Sequence, residues 1–202
     1  MVLTSEKIYG KSMPIVSSSN SFLHSRQANH HIFQRRELIP SDSGLFWQIS
    51  KGIVRVSTLD DDGIFISLGY WGAGDIVGRF LSGSIPYQIE CLTVVETIAL
   101  PSFASCPTSA LLTHIQQKEE FLQLIQQRSI RKRLICFVTW LFDRFGQDTQ
   151  NGKQLNLHLT HQEIAEAIGT TRVTVTRLIK ELQQDGYLCW SKQNHLLLKH
   201  VV

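Results

Sequence analysis

The chain has 202 residues, which is enough for one large domain or two small ones. Its composition, with 43% hydrophobic and 18% charged residues, is typical of a globular protein and excludes a disordered chain. No apolar run reaches the roughly 20 residues of a membrane span. The N-terminus lacks the basic start and apolar core of a signal peptide, so we expect a cytoplasmic protein.

The four cysteines lie far apart and form no Cys-x-x-Cys pair, which argues against a zinc ribbon or an iron–sulfur cluster. The pair His30-His31 has no supporting ligands, and we expect neither a metal nor another cofactor. The net charge of +3 is unevenly placed, because residues 131–202 carry 10 Lys and Arg against 6 Asp and Glu. A basic C-terminal third suits a surface that attracts phosphate groups.

The first part of the chain has the pattern of short strands. Residues 1–30 are polar and serine-rich, and we predict a loose N-terminal tail or a short helical lead there. Short apolar runs then alternate with turn residues, and Asp62-Gly63 suits a tight hairpin. Residues 89–100 are predicted to form one last strand. Strands at this spacing predict a small barrel or a jelly roll over residues 31–106.

The pattern then becomes helical. A connecting helix is predicted over residues 107–128 and a second helix over residues 130–145, followed by an exposed loop at residues 147–154. The connecting helix has an apolar stripe, which is either the seam of a dimer or a face that packs on the β domain. The stripe consists of Leu111, Ile115, Leu122 and Ile125.

A helix-turn-helix is predicted within residues 129–202. Thr160 and Glu163 have the spacing of a capping box, which begins a short helix. Gly169 permits a sharp turn into a second helix, which Thr170 or Thr171 caps. This second helix runs from residue 172 to about residue 184, and its apolar stripe faces the domain core. The stripe consists of Val175, Leu178, Ile179 and Leu182.

The opposite face of the second helix has the chemistry for reading DNA. Arg172 and Arg177 can each present a guanidinium fork to guanine, while Val173 and the methyl group of Thr174 can contact thymine methyl groups. An exposed valine among arginines and threonines argues against an ordinary solvated face. We therefore predict sequence-specific binding to double-stranded DNA through a winged helix-turn-helix. The residues suited to phosphate contacts are Thr171, Thr176, Lys180 and, at the tip of the predicted β-hairpin wing, Lys192.

The stretch LTHQEIAEAIGTTRVTVTRL, at residues 159–178, resembles the CRP/FNR family of bacterial regulators. It is most similar to the NtcA-type nitrogen-control branch of cyanobacteria. More loosely, ISKGIVR at 49–55 and GDIVG at 74–78 resemble turns of the family's cyclic-nucleotide-binding jelly roll. The resemblance covers about residues 30–200. It implies a homodimer on an inverted repeat, half-sites of the GTA…TAC kind, and RNA polymerase as a partner.

The chain departs from the cyclic-AMP receptors of that family at the effector site. Arg79 stands where they have glutamate, and residues 84–87 lack their Arg-Ser pair, so we expect no cyclic-AMP binding. Arg79 and Tyr87 are candidates for the pocket of an anionic effector such as 2-oxoglutarate. A regulator that needs no ligand is the other possibility. The connecting segment is also shorter than in the receptors that it resembles.

An enzyme or a small-molecule carrier on a jelly-roll fold is the alternative from another class. No paired carboxylates, glycine-rich phosphate loop or nucleophile–base set supports catalysis, so we do not expect an enzyme. The expected fold class is α+β in four parts. These are a tail at 1–30, a jelly-roll domain at 31–106, a connecting and dimerisation helix at 107–128, and a winged helix-turn-helix domain at 129–202.

Overall fold

A computed structural model of the protein describes residues 29–149, 152–190 and 196–198. The predicted tail lies outside these residues except for its last two. The first part consists of β1 (His30–Phe33), β2 (Leu38–Ile39), β3 (Phe46–Lys51), β4 (Val54–Leu59), β5 (Phe65–Trp71), β6 (Ile76–Val77), β7 (Gln88–Cys91) and β8 (Val95–Leu100). These strands form two antiparallel sheets, ordered β1-β8-β3-β6 and β2-β7-β4-β5. The predicted β jelly roll is confirmed.

The turns of the roll follow from local chemistry. Gly63 has a φ of 77°, and its amide donates to the carbonyl of Asp60 between β4 and β5. The prediction of one strand over residues 89–100 is wrong, because residues 92–94 separate β7 from β8 and the two strands belong to different sheets. The apolar pattern continues through this crossing, so hydrophobicity alone does not reveal it.

The second part of the chain contains all four α-helices of the described residues. Its elements are α1 (Thr108–Ile125), α2 (Ile130–Phe145), β9 (Gln147–Thr149), β10 (Gly152–Leu155), α3 (His161–Ile168), α4 (Arg172–Gln184), β11 (Leu188–Trp190) and β12 (Leu196–Leu198). The four strands form a small sheet ordered β11-β12-β10-β9. None of the helices within these ranges is long and apolar enough to cross a membrane.

The structure corrects the prediction of an exposed loop at residues 147–154. Residues 147–149 and 152–155 are β9 and β10, and β10 pairs with β12, which follows about 40 residues later. The polar sequence has no strand pattern of its own. Its strand conformation comes from hydrogen bonding to a distant partner, which propensity does not encode.

Two faces of α1 have different surroundings. Its buried face packs towards the jelly roll and α2, and consists of Ala110, His114, Gln117, Phe121 and Leu124. Of the predicted stripe, Ile115 and Leu122 are more than half exposed, whereas Leu111 and Ile125 are half-buried. At 100° per residue, Leu111 and Ile125 lie at the edge nearest the buried face. The stripe is therefore split, and Leu112, which is 57% exposed, joins its outer part.

Beside the roll's own core, a second apolar cluster joins the roll to the helices. Tyr70 of β5 and Leu92 pack in the same cluster as Phe121 of α1 and the inner faces of α2, α3 and α4. A buried carboxylate adds a polar link, because Asp75 Oδ2 accepts hydrogen bonds from Arg144 Nη2 of α2 at 2.9 Å and from the Gly72 amide at 2.7 Å. The position of the helices relative to the roll is thus fixed by apolar and ionic contacts together.

Candidate nucleic-acid interface

The helix-turn-helix is built from two caps and one glycine. The Thr160 hydroxyl accepts from the Glu163 amide at 3.2 Å, and the Glu163 carboxylate accepts from the Thr160 amide at 2.7 Å, which completes the capping box of α3. Gly169 ends α3 in the left-handed conformation, with φ 63°. Thr171 then caps α4 by accepting from the Thr174 amide at 3.2 Å. Only three residues therefore separate α3 from α4.

Packing of α4 determines which of its faces meets solvent. The predicted apolar stripe, Val175, Leu178, Ile179 and Leu182, is buried, with each residue at most 5% exposed. The opposite face at the start of the helix is exposed, and Val173 there is 79% exposed. Arg172, Arg177 and Lys180 are exposed on the same side. A protruding helix start with an exposed valine between arginines fits the dimensions of a major groove.

Several side chains of this face are hydrogen-bonded within the protein. The Thr174 side chain is half-buried, and its hydroxyl lies 2.9 Å from the Thr171 hydroxyl. The Thr176 hydroxyl donates to the Arg172 carbonyl at 2.9 Å. Arg177 Nη1 pairs with Glu181 Oε1 at 2.5 Å, one turn further along α4. These contacts limit the directions in which the predicted DNA-contacting groups can point.

The structure adds His161 to this interface, a residue that the sequence argument missed. His161 is the first residue of α3, and its Nδ1 lies 2.8 Å from Thr176 Oγ1 on α4. Because the Thr176 hydroxyl donates to the Arg172 carbonyl, we assign the ring N–H as the donor in the contact with His161. Burial and the charge of Arg172 lower the pKa of His161. Its position at the start of α3 was visible in the sequence, but its contact across the turn was not.

The wing is only partly described. Strands β11 and β12 pair antiparallel, with Leu188 opposite Leu198. The predicted phosphate contact Lys192 lies outside the described residues.

The two residues predicted for an effector pocket have internal contacts. Tyr87 is only 5% exposed, packs in the core of the roll, and has its pKa raised to about 12 by burial. Arg79 is half-buried, and its Nη1 donates to the Ser82 carbonyl at 2.9 Å, closing a short 3-10 turn. No three His, Cys, Asp or Glu side chains group as metal ligands within the part of the chain that the structure describes.

Large aromatic side chains pack in the interior of the roll. Trp47 and Trp71 join Tyr87 in its core, and Trp71 is 1% exposed. From α1, the His114 ring stacks on Trp71, with the ring centroids 5.1 Å apart and the planes at 16°. His114 Nδ1 lies 3.0 Å from the Ile76 carbonyl, which assigns the proton to this nitrogen. The junction between α1 and the roll is therefore closed by stacked rings.

Known proteins match this chain in sequence and in fold. Residues 132–200 match the family model of the Crp-like helix-turn-helix domain. The chain is 41% identical to the regulatory protein CysR of Synechococcus elongatus over 155 residues, 75% of either chain. It is 36% identical to a global nitrogen regulator of Synechocystis sp. over 160 residues, 71% of either chain. A crystal structure of a CRP-family transcriptional regulator from Thermus thermophilus has the same fold, with a TM-score of 0.70 at 22% identity over 85% of this chain and 92% of that one.

Proposed function

Because the chain belongs to the CRP/FNR family of transcription regulators, we propose that it binds an inverted-repeat site in double-stranded DNA as a homodimer. The observation that carries this proposal is the exposed start of α4, where Val173 and two arginines protrude from a helix that is capped and packed on its other face. A rigid, basic helix start of this kind reads base edges in a major groove.

Base reading is assigned to the outer face of α4. Arg172 and Arg177 donate to guanine, and Val173 and the Thr174 methyl group contact thymine, which corresponds to half-sites of the GTA…TAC kind. The phosphate contacts are assigned to Thr171, Thr176, Lys180 and Lys192. Bound in this way at a promoter, the protein would have RNA polymerase as its partner.

The outer part of the α1 stripe is the proposed dimer seam. Leu112, Ile115 and Leu122 are each more than half exposed and follow one another at helical spacing. Their burial against the same residues of a second copy would remove about 25 cal/mol of unfavourable free energy per Å² of apolar surface. Leu111 and Ile125 would support the seam from the edge, because each is already half-buried.

We assign no small-molecule requirement to DNA binding, because Trp71 and Tyr87 are buried in the core of the roll and Arg79 is bonded within its own turn. An anionic effector such as 2-oxoglutarate is the second candidate, since Arg79 retains partial exposure near Tyr87. Isothermal calorimetry with 2-oxoglutarate and with cyclic AMP separates the two cases. Heat of binding that disappears in Arg79→Gln would favour the effector.

The proposed reading mode is tested by selecting sites from random oligonucleotides and measuring the affinity of two variants. Arg172→Ala and Arg177→Ala should each lower the binding free energy for the selected site by about 1–3 kcal/mol. Each should also relax the base preference at one position of each half-site. Arg131→Ala is the matched control, because Arg131 is an exposed arginine of α2 that pairs with Asp185 at 2.8 Å. Equal losses on selected and on random duplexes would contradict the base-reading role.

A further inference from the structure

Five charged side chains join the jelly roll to the first helix of the helix-turn-helix, and we call them the interdomain charge cluster. They are Arg36, Arg55 and Glu90 of the roll, and Glu163 and Glu166 of α3. Arg55 bridges the two parts, because its Nη2 donates to Glu90 Oε2 at 2.7 Å and its Nη1 donates to Glu166 Oε2 at 3.0 Å. Arg36 does the same, pairing with Glu90 at 2.8 Å and with Glu163 at short range.

The cluster is mostly withdrawn from water. The side chain of Arg55 is 7% exposed, and those of Glu163, Glu166 and Glu90 are at most 15% exposed. Removing a guanidinium from water is costly unless opposite charges and hydrogen bonds surround it. Glu166 of α3 is one of the two carboxylates that do so for Arg55. The Arg55 guanidinium therefore keeps both of its carboxylate partners only while α3 stays in contact with the roll.

Arg36 lies in a tight turn of the roll, which the Glu37 amide closes by donating to the Gln34 carbonyl at 3.0 Å. Arg36 has a φ of 71°, a left-handed conformation that is unfavourable for a residue with a side chain. Its amide donates to the Cys91 carbonyl at 2.7 Å, which holds the backbone in this state. From this turn the Arg36 guanidinium reaches Glu163, whose carboxylate also completes the capping box of α3.

The opposite end of α3 is held as well. Arg133 of α2 donates to the Ile168 carbonyl, in the last turn of α3, at 2.6 Å. The same guanidinium donates to the Gln127 carbonyl, in the short connection between α1 and α2, at 3.0 Å. Both ends of α3 are thus hydrogen-bonded to neighbouring elements. Because α4 shares a core with α3, the direction of the recognition helix relative to the roll and α1 is fixed.

We propose that Arg55 and Arg36 are positioning residues for DNA reading, which hold the helix-turn-helix on the roll so that two recognition helices in a dimer have a set separation. This inference rests on the proposed function, because the separation matters only for a two-half-site duplex. Without the cluster, the helix-turn-helix is held on the roll by the shared apolar cluster and the Asp75–Arg144 pair alone, so its direction is less closely fixed. Before it can bind both half-sites, such a protein must first bring its two helix-turn-helix units into the right orientation, which lowers its affinity. In the intact protein the cluster already sets this orientation.

The test uses the full chain and three duplexes: the selected inverted repeat, the same repeat with a lengthened spacer, and a single half-site. The variants are Arg55→Met, and Glu166→Gln in case the first does not fold. Each variant should lose about tenfold in affinity for the inverted repeat and much less for the half-site. The ratio of the affinities for the selected repeat and for the repeat with the lengthened spacer should fall as well. Trypsin should also cleave faster after Arg128, which is exposed in the connection.

Lys51→Met is the matched control, because the Lys51–Glu96 pair lies at 3.4 Å on the surface of the roll and its lysine is 75% exposed. It should leave the spacer preference and the tryptic rate unchanged. The inference is overturned if folded Arg55→Met or Glu166→Gln retains the wild-type spacer preference and tryptic rate. If the wild-type chain itself does not distinguish the inverted repeat from random DNA, the proposed function has failed instead.

Discussion

The interior of the jelly roll and the outer face of α4 use their large side chains in opposite ways. In the roll, Trp47, Trp71 and Tyr87 point inwards and are at most 5% exposed, so they stabilise the fold by their own burial. On α4, Val173 is 79% exposed beside two exposed arginines and gains nothing from folding. Apolar groups that stay exposed in the folded chain, and become buried only when another molecule binds, are typical of binding surfaces. The roll interior therefore serves the fold, whereas the outer face of α4 is the surface at which the proposed contacts with DNA would be made.

The largest expected effect is on stability and comes from removing one large side chain from the core of the roll. Trp71→Ala should lower the free energy of unfolding by about 3–5 kcal/mol, because it leaves a cavity in a packed core and removes the ring on which His114 stacks. Urea unfolding followed by circular dichroism measures this loss. If indole added to the variant raises its melting temperature, the cavity is open and of the expected shape.

Val173→Ala is the matched change on the outer face. It should alter the free energy of unfolding by less than about 0.5 kcal/mol, because the side chain has few contacts to lose. Its effect should be on DNA affinity alone. A loss of stability similar to that of Trp71→Ala would show that the two regions do not differ as described.

His114 provides a smaller effect that depends on pH. Burial and the charge of Lys118 lower the pKa of His114 from an ordinary 6.5 to about 4, so the folded protein keeps this ring neutral. The unfolded chain binds the proton first as the pH falls. The contribution of the neutral His114 ring to the free energy of unfolding is therefore fully present above pH 6.5 and is lost progressively towards pH 4. Between pH 7 and pH 5 the free energy of unfolding should fall by about 2 kcal/mol on this account.

His114→Phe keeps a ring against Trp71 and removes the titration. The variant should show a flatter dependence of the free energy of unfolding on pH between 7 and 5. Glu163 does not titrate between pH 7 and pH 5. Burial raises its pKa, but hydrogen bonds from Arg36 and Thr160 lower it more, so its net pKa lies below the ordinary 4.5. An unchanged slope in His114→Phe would assign the pH dependence to other groups.

The helix-turn-helix, and α4 above all, is the region that the sequence predicts best. The bounds of α4, the capping box at Thr160 and the left-handed Gly169 were all predictable, because each depends on residues within one or two helical turns. The buried stripe of α4 follows from its period in the same way. Local chemistry determines these features almost completely.

The features that were missed depend on distant partners. Strand β10 forms because β12 lies beside it, and α1 buries a face that turns towards the roll rather than the face with the strongest apolar pattern. The Arg55–Glu166 pair joins residues 111 positions apart. A single sequence has no local signal for such pairs. The same limit applies to His161, whose contact with Thr176 crosses the helix-turn-helix.

A smaller effect than those of Trp71→Ala and His114 is expected from two helix caps, one at the proposed interface and one away from it. Thr171 caps α4 at the proposed interface, and Ser129 caps α2 by accepting from the Lys132 amide at 3.4 Å. Thr171→Ala and Ser129→Ala should each lower the free energy of unfolding by about 1 kcal/mol, because each removes one acceptor from the free amides of a helix start.

Only Thr171→Ala should also weaken DNA binding under conditions where both variants are folded, because its hydroxyl is assigned to a phosphate. That additional loss should be of similar size on selected and random duplexes, since phosphate contacts do not depend on sequence. Fluorescence anisotropy with both duplexes measures it. A loss confined to the selected duplex would instead place Thr171 among the base-reading residues, and no loss at all would limit its role to the cap.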